Sequence, residues 1–177
     1  SHHLLGLLND ILDMSRIESG ISSLNLEKLE LSEQISQIET IIRTNTRERR
    51  QQFEIRTRMI RHEQINGNGT HLRQILLNIL TNAAKYTPDG GRIIFEITEL
   101  DSEPGYAEYQ FTISDNGMGM RQEDVKNILS DNKKVPKHGS GVGLINVHTR
   151  IQLMFGAKYG LIVESEPDEG TTVTIHL

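Results

Sequence analysis

Three polar side chains, Asn78, Asn82 and Lys85, stand four and then three residues apart in the stretch from Thr70 to Tyr86. On a helix they fall within an arc of about 60°, one face of the cylinder. Leu72, Leu76, Ile79, Leu80 and Ala83 cluster on another face, so the trio stands at the edge of a core. Two amides and an ammonium offer oxygen to a hard cation and positive charge to phosphate. A stripe of this kind also arises on plain solvated helices, and alone it fixes no role. Asp115-Asn116-Gly117-Met118-Gly119 follows a strand-like alternation, which sets a carboxylate at a sheet edge and then a backbone free to turn tightly. Read by itself, that pattern is more often an ordinary turn. Gly139-Ser140-Gly141-Val142-Gly143 opens a helical pattern, where unhindered amides and a helix N-terminus can face an anion. It is neither the dinucleotide fingerprint, since no strand precedes it, nor a P-loop, since no GKS or GKT completes it. Lys133, Lys134, Lys137 and His138 fill the intervening stretch, either as a basic cover for phosphates or as a solvated loop.

These groups need a scaffold, and the hydrophobic pattern supplies one. Leu24, Leu26, Leu29 and Leu31 alternate like a short strand, and Ser32 is placed to cap a helix running to about Glu48 that buries Ile35, Ile38, Ile41 and Ile42. Phe53, Ile55 and Thr57 read as a strand, and Asn66-Gly67-Asn68-Gly69 as a turn. The Thr70 to Tyr86 helix stops before Pro88 and the Gly90-Gly91 pair. Ile93, Phe95 and Ile97, then Tyr109, Phe111 and Ile113, mark two alternating strands joined by a turn at Glu103-Pro104-Gly105. Asp115 to His138 reads as loop, Leu144 to Phe155 as a helix closed by Gly156, and Tyr159 to Ser165 with Thr171 to Leu177 as a final hairpin. The order predicts an α/β fold: a two-layer α/β sandwich, with helices on one face of a mixed sheet. Ahead of it, Leu4, Leu5, Leu8, Ile11, Leu12 and Met14 recur at helical spacing up to Gly20, a short helix whose apolar face calls for a partner helix.

Composition removes several classes of function. At 177 residues with 36% hydrophobic content, one well-buried domain plus a short appended element is expected. A net charge of -5 provides no general field for a nucleic-acid backbone or an anionic membrane, so bound phosphate must be held locally. The absence of cysteine excludes disulfides, thiolate metal sites and cysteine nucleophiles within this sequence. No apolar run reaches the roughly 18 residues of a membrane span. We therefore expect a cytoplasmic piece of a longer protein, one that could carry a membrane anchor elsewhere.

The run Leu72-Arg73-Gln74-Ile75-Leu76-Leu77-Asn78-Ile79-Leu80-Thr81-Asn82-Ala83-Ala84-Lys85-Tyr86-Thr87-Pro88, then Asp115 to Gly119, Gly139 to Leu144 and Gly170-Thr171-Thr172, closely resembles the ordered asparagine and glycine boxes of the histidine-kinase ATP-binding domain. Residues Asn9 to Glu18 look like the end of the second dimerisation helix of hybrid-type kinases. The resemblance implies a Bergerat ATP-binding fold over residues 21–177 and the tail of a phosphoacceptor helix over residues 1–20. It implies ATP and Mg2+ as ligands, with Asp115 accepting from the adenine amino group and Asn82 coordinating the metal. Asn78 and Lys85 would sit beside metal and phosphates as the catalytic pair, and Tyr86 would flank the base. Gly117 and Gly119 would let the backbone pass close to it. Gly139, Ser140, Gly141, Val142, Gly143 and Leu144 would cradle the phosphates under Lys137, and Thr172 or its neighbour Thr171 would line the adenine pocket. The family's phenylalanine-bearing box is missing from Arg121 to His138, which implies a reduced lid. Gly141 to Val147 and Arg150 to Gly156 look more like the autolysin-regulator branch, whereas the first half looks like the hybrid branch.

ATPases of the same fold use a glutamate one turn before the magnesium asparagine, and that position here is Asn78. An amide has no lone pair basic enough to take a proton from water, which favours transfer to an external histidine over hydrolysis. A hydrolytic ATPase and a nucleotide-binding module without turnover are the competing readings. The implied partners are the dimerisation helices of the same protein, as a homodimer, and a response-regulator receiver domain; no nucleic-acid or direct membrane contact is expected.

Overall fold

The structure, a computed structural model, describes residues 26–130 and 141–177. The chain runs through β1 (Glu27–Glu30), α1 (Leu31–Glu48), β2 (Gln52–Arg58), β3 (Gln64–Gly67), α2 (Gly69–Tyr86), β4 (Arg92–Leu100) and β5 (Glu108–Asp115). It continues through α3 (Gln122–Ile128), α4 (Gly141–Phe155), β6 (Leu161–Glu166) and β7 (Gly170–His176). The main sheet has the order β2-β4-β5-β7-β6, with β2 parallel to β4 and the other pairs antiparallel. A parallel pair needs a crossover, and α2 lies in the one between β2 and β4. β1 and β3 form a separate antiparallel pair.

One face of the sheet is apolar because every second residue is. Phe95 stands opposite Ile113, and Ile113 opposite Val173; all three are buried under the helices with Ile93, Ile97, Phe111 and Ile175. Each such side chain contributes about 1.5–3 kcal/mol by leaving water. The helices meet the sheet through Ile38 and Ile42 of α1, Ile75, Leu76, Ile79 and Leu80 of α2, and Leu144, Val147 and Ile151 of α4. The opposite face carries Glu54, Arg92, Glu96, Thr112 and Thr174 instead, with the ion pairs Arg92–Glu54 and Arg58–Glu96 across strands. This is the two-layer sandwich with a mixed sheet expected from the pattern. The link from β2 to β3 is pinned by Glu99 of β4, whose buried carboxylate accepts from the backbone N–H groups of Arg61 and His62 at 2.5 and 2.9 Å.

Four local readings change. Helix α1 begins at Leu31, with Glu30 in the N-cap position, so Ser32 lies inside the first turn and caps nothing. Leu31 is buried and its N–H bonds to Glu63 O at 2.8 Å, an anchor that fixes the start. Ile41 is exposed rather than buried. Asn66 and Gly67 belong to β3 rather than to a turn, while Asn68 caps α2, its side chain accepting from His71 N–H at 3.0 Å. The stretch after Asp115 holds the short helix α3. The expected helix over Leu4 to Glu18, with the boundary at residue 20, lies outside the described residues, as do Lys133, Lys134, Lys137, His138, Gly139 and Ser140.

Candidate functional site

Helix α2 delivers Asn82 and Tyr86, one turn apart, to a cavity of about 570 Å³. Its apolar walls are Ile79 and Ala83 from α2, Ile113 and Val173 from the sheet, Leu144 from α4 and Ile128 from α3. The rim adds Met118, Gly119, Met120, Arg121, Asp124 and Pro167. Asp115, the last residue of β5, lies on the inward face with Ile113 because their spacing is two. Its Oδ1 accepts from Gly117 N–H at 2.9 Å. Burial pushes the Asp115 carboxyl above its ordinary range, against the opposing pull of the Gly117 and Thr171 backbone N–H groups. A desolvated acceptor in an apolar slot suits a flat heterocycle that presents an amino donor.

Two glycines are sterically required here. A Cβ on Gly117 would lie 2.6 Å from Tyr86 O and 2.7 Å from Asp115 Oδ1. Gly119 has φ +62, and a Cβ there would lie 1.8 Å from Glu166 O, so the loop is pressed onto the β6–β7 hairpin. Asp168 N–H clips the same hairpin to Met118 O at 2.8 Å.

The cavity thus gathers Asn82, Tyr86, Asp115, Gly119, Leu144 and Thr171. Lys85 and Gly117 line an adjoining cleft that shares Tyr86 and Met118 with it, and the Lys85 ammonium sits 5.2 Å from the Tyr86 ring centroid. Asn78 is partly buried one turn before Asn82 and is not among the described walls of either space. Gly143 approaches Asn82 so closely that a Cβ would lie 3.2 Å from Nδ2, which brings the glycine-rich start of α4 to the asparagine helix. Gly141 and Val142 form the first turn of α4. Thr172 requires a correction. It pairs with Ser114 and bonds to its hydroxyl at 3.0 Å on the opposite face of the sheet, so Thr171, opposite Asp115, is the threonine of the pocket. Sequence reasoning missed Arg121, Asp124 and Ile128, although Val125, Ile128 and Leu129 carry a short helical spacing that would have shown them.

A family model described as histidine kinase-, DNA gyrase B-, and HSP90-like ATPase matches residues 67–177, the stretch that holds every described element of this site. The chain belongs to this ATPase family. As a member it is an ATP-binding domain, and sensor kinases are among its relatives. The "Non-motile and phage-resistance protein" of Caulobacter vibrioides is 30% identical over 181 residues, covering 99% of this chain and 21% of that protein. The "Autoinducer 2 sensor kinase/phosphatase LuxQ" of Vibrio cholerae is also 30% identical over 181 residues, covering 99% and 20%. The chain therefore spans about a fifth of the length of these curated relatives. Full-length ShkA in complex with AMPPNP shares the ATPase fold with a TM-score of 0.76 at 24% identity, over 98% of this chain and 35% of that one. Histidine kinase ThkA in complex with response regulator protein TrrA does so with a TM-score of 0.68 at 16% identity, over 100% and 50%.

The donor set of the cavity fits a nucleotide. A half-buried carboxylate between apolar walls suits a base that presents an amino donor, and a glycine-opened helix start against Asn82 suits a phosphate chain. No helix among the described residues is long and apolar enough to cross a membrane.

Proposed function

We propose that this chain is the ATP-binding catalytic domain of a two-component sensor histidine kinase, formed by residues 21–177, with residues 1–20 ending a dimerisation helix. The observation that carries the reading is Asp115, a half-buried acceptor at one end of an apolar cavity whose α2 wall presents Asn82 beside Gly143. In this reading Asp115 selects adenine through its amino group, and Thr171 and Gly117 hold that carboxylate with their backbone N–H groups. Tyr86 flanks the base. Asn82 is the metal residue, and Mg2+ held there would neutralise phosphate charge when bound. Lys85 swings from the Tyr86 ring toward the phosphates, and Asn78 orients rather than deprotonates. The nucleophile is a histidine on dimerisation helices outside this stretch, so this domain supplies position and charge only. The same helices make the homodimer, and a receiver domain takes the phosphoryl group onward.

A hydrolytic ATPase is disfavoured by the amide at Asn78. Calorimetric titration with ATP, with and without Mg2+, tests the site. The parent should bind with metal-dependent affinity, while Asn82→Ala and Asp115→Ala, both folded by circular dichroism, should not bind measurably. Equal affinity in either variant would remove the assignment, and a parent that binds no nucleotide would favour a degenerate module.

A further inference from the structure

The C-terminal turn of α2 is closed in an unusual way. A helix leaves its last carbonyls without internal partners, and a glycine in left-handed conformation commonly satisfies them. Here Thr87 caps the helix in an extended conformation and Pro88 follows, so that closure is missing. A remote segment provides the donors. Gln51 Nε2 donates to Ala84 O at 2.8 Å and to Thr87 O at 2.7 Å, while Arg49 Nη1 donates to Ala84 O at 2.6 Å and to Lys85 O at 3.1 Å. Backbone bonds complete the clasp: Gly90 N–H to Arg49 O at 3.0 Å and Gln52 N–H to Gly91 O at 2.8 Å.

Neither side chain lines the 570 Å³ cavity, and Arg49 lines only the adjoining cleft beside Lys85 and Tyr86; both hold the turn that carries those two residues. Gln51 is 8% exposed and serves through its two N–H donors; its Oε1 has no partner among the described residues. The Arg49–Asp89 ion pair at 2.9 Å is largely solvated on the Asp89 side and contributes little, so the carbonyl bonds are what Arg49 supplies. On the other flank of this turn, Tyr86 O rests against Gly117, whose N–H holds the Asp115 carboxylate. The turn is therefore clamped between the Arg49–Gln51 segment and the Asp115 loop.

We propose that Arg49 and Gln51 are positioning residues for nucleotide binding, setting the height of Tyr86 and, through Gly117, the aim of Asp115. The proposal rests on the ATP-site reading above. A cationic guanidinium at a helix C-terminus also favours the closed turn through the helix dipole.

The test measures dissociation constants for ATP, ADP and adenosine on the whole chain, at a temperature where circular dichroism shows each variant folded. Gln51→Met keeps the volume and removes both donors. It should weaken all three ligands by about tenfold, because the disturbed groups face the base they share. Arg49→Ala should do the same, and Arg49→Lys, which keeps a charged donor, should return affinity to within about threefold of the parent. If Arg49→Ala does not fold, Gln51→Met and Gln51→Asn carry the test, the latter being too short to span both carbonyls. Folded variants with lowered melting temperature and parental affinity would overturn the proposal. So would a loss confined to ATP, since that places the effect at the phosphates. A parent that binds none of the three would refute the site reading instead.

Discussion

Replacing Gly117 by alanine adds one methyl group at the point where α2 and the Asp115 loop meet. The new carbon would start 2.6 Å from Tyr86 O and 2.7 Å from Asp115 Oδ1, whereas ordinary contact begins at 3.4 Å. Opening both gaps takes about 0.8 Å at Tyr86 O and about 0.7 Å at Asp115 Oδ1, enough to break the 2.9 Å bond from Gly117 N–H to the carboxylate. A hydrogen bond to a charged acceptor contributes about 1.5–3 kcal/mol, and each 1.4 kcal/mol is tenfold in affinity. The ATP dissociation constant should therefore rise about ten- to a hundredfold. The backbone shift should cost the free protein about 1–2 kcal/mol, a fall in melting temperature of about 4 °C. Calorimetry for binding and scanning calorimetry for stability measure the two separately. Because the methyl acts through Asp115, Gly117→Ala should cost almost nothing further in an Asp115→Asn background. A folded Gly117→Ala variant with affinity within twofold of the parent would refute this reasoning, as would full additivity in the double variant.

Three other outcomes follow from the same geometry. Asp115 is held above the ordinary carboxylate range by burial, so the free protein loses stability as pH rises through that raised value. Asp115→Asn should raise the melting temperature by about 2 °C at pH 7.5 while weakening nucleotide binding, with the gain vanishing in acid. His148 is held below its ordinary value of 6.5 by burial, and its Nδ1 accepts from Leu161 N–H at 2.9 Å. That contribution is complete above pH 6.5 and is lost as pH falls through the lowered value, so melting curves should show an acid-side decline that His148→Asn flattens. Asn78→Glu should raise steady-state phosphate release more than any other single substitution at the site, because it sets a base one turn before Asn82; unchanged release would place position 78 away from the attacking water.

The elements legible in the sequence were those with an internal period. The α2 stripe and the alternations of β4 and β5 repeat often enough to fix both type and face, and the glycine boxes lie where a strand ends and a helix begins. β3 escaped because Gln64 to Gly67 has no alternation of its own and exists by pairing with β1, a contact across about 35 residues. Gly67 faces Leu29, so close that a Cβ would sit 3.1 Å from its side chain, which is a packing reason for glycine that mimics a turn signal. α3 escaped because seven residues with two acids in the first turn read as polar loop. Thr171 and Thr172 could be separated only by register: an inward Ile113 faces Val173, so Thr171 faces in and Thr172 out.

On the proposed function, this domain binds ATP and transfers its phosphoryl group to a histidine carried elsewhere. Incubation of the chain with γ-labelled ATP and Mg2+, alone and with a separately expressed pair of dimerisation helices, addresses it most directly. This chain should carry no label, despite its seven histidines, and the helices should carry acid-labile label when both are present. Stable label on a histidine of this chain, or rapid release of free phosphate with none on the helices, would contradict it.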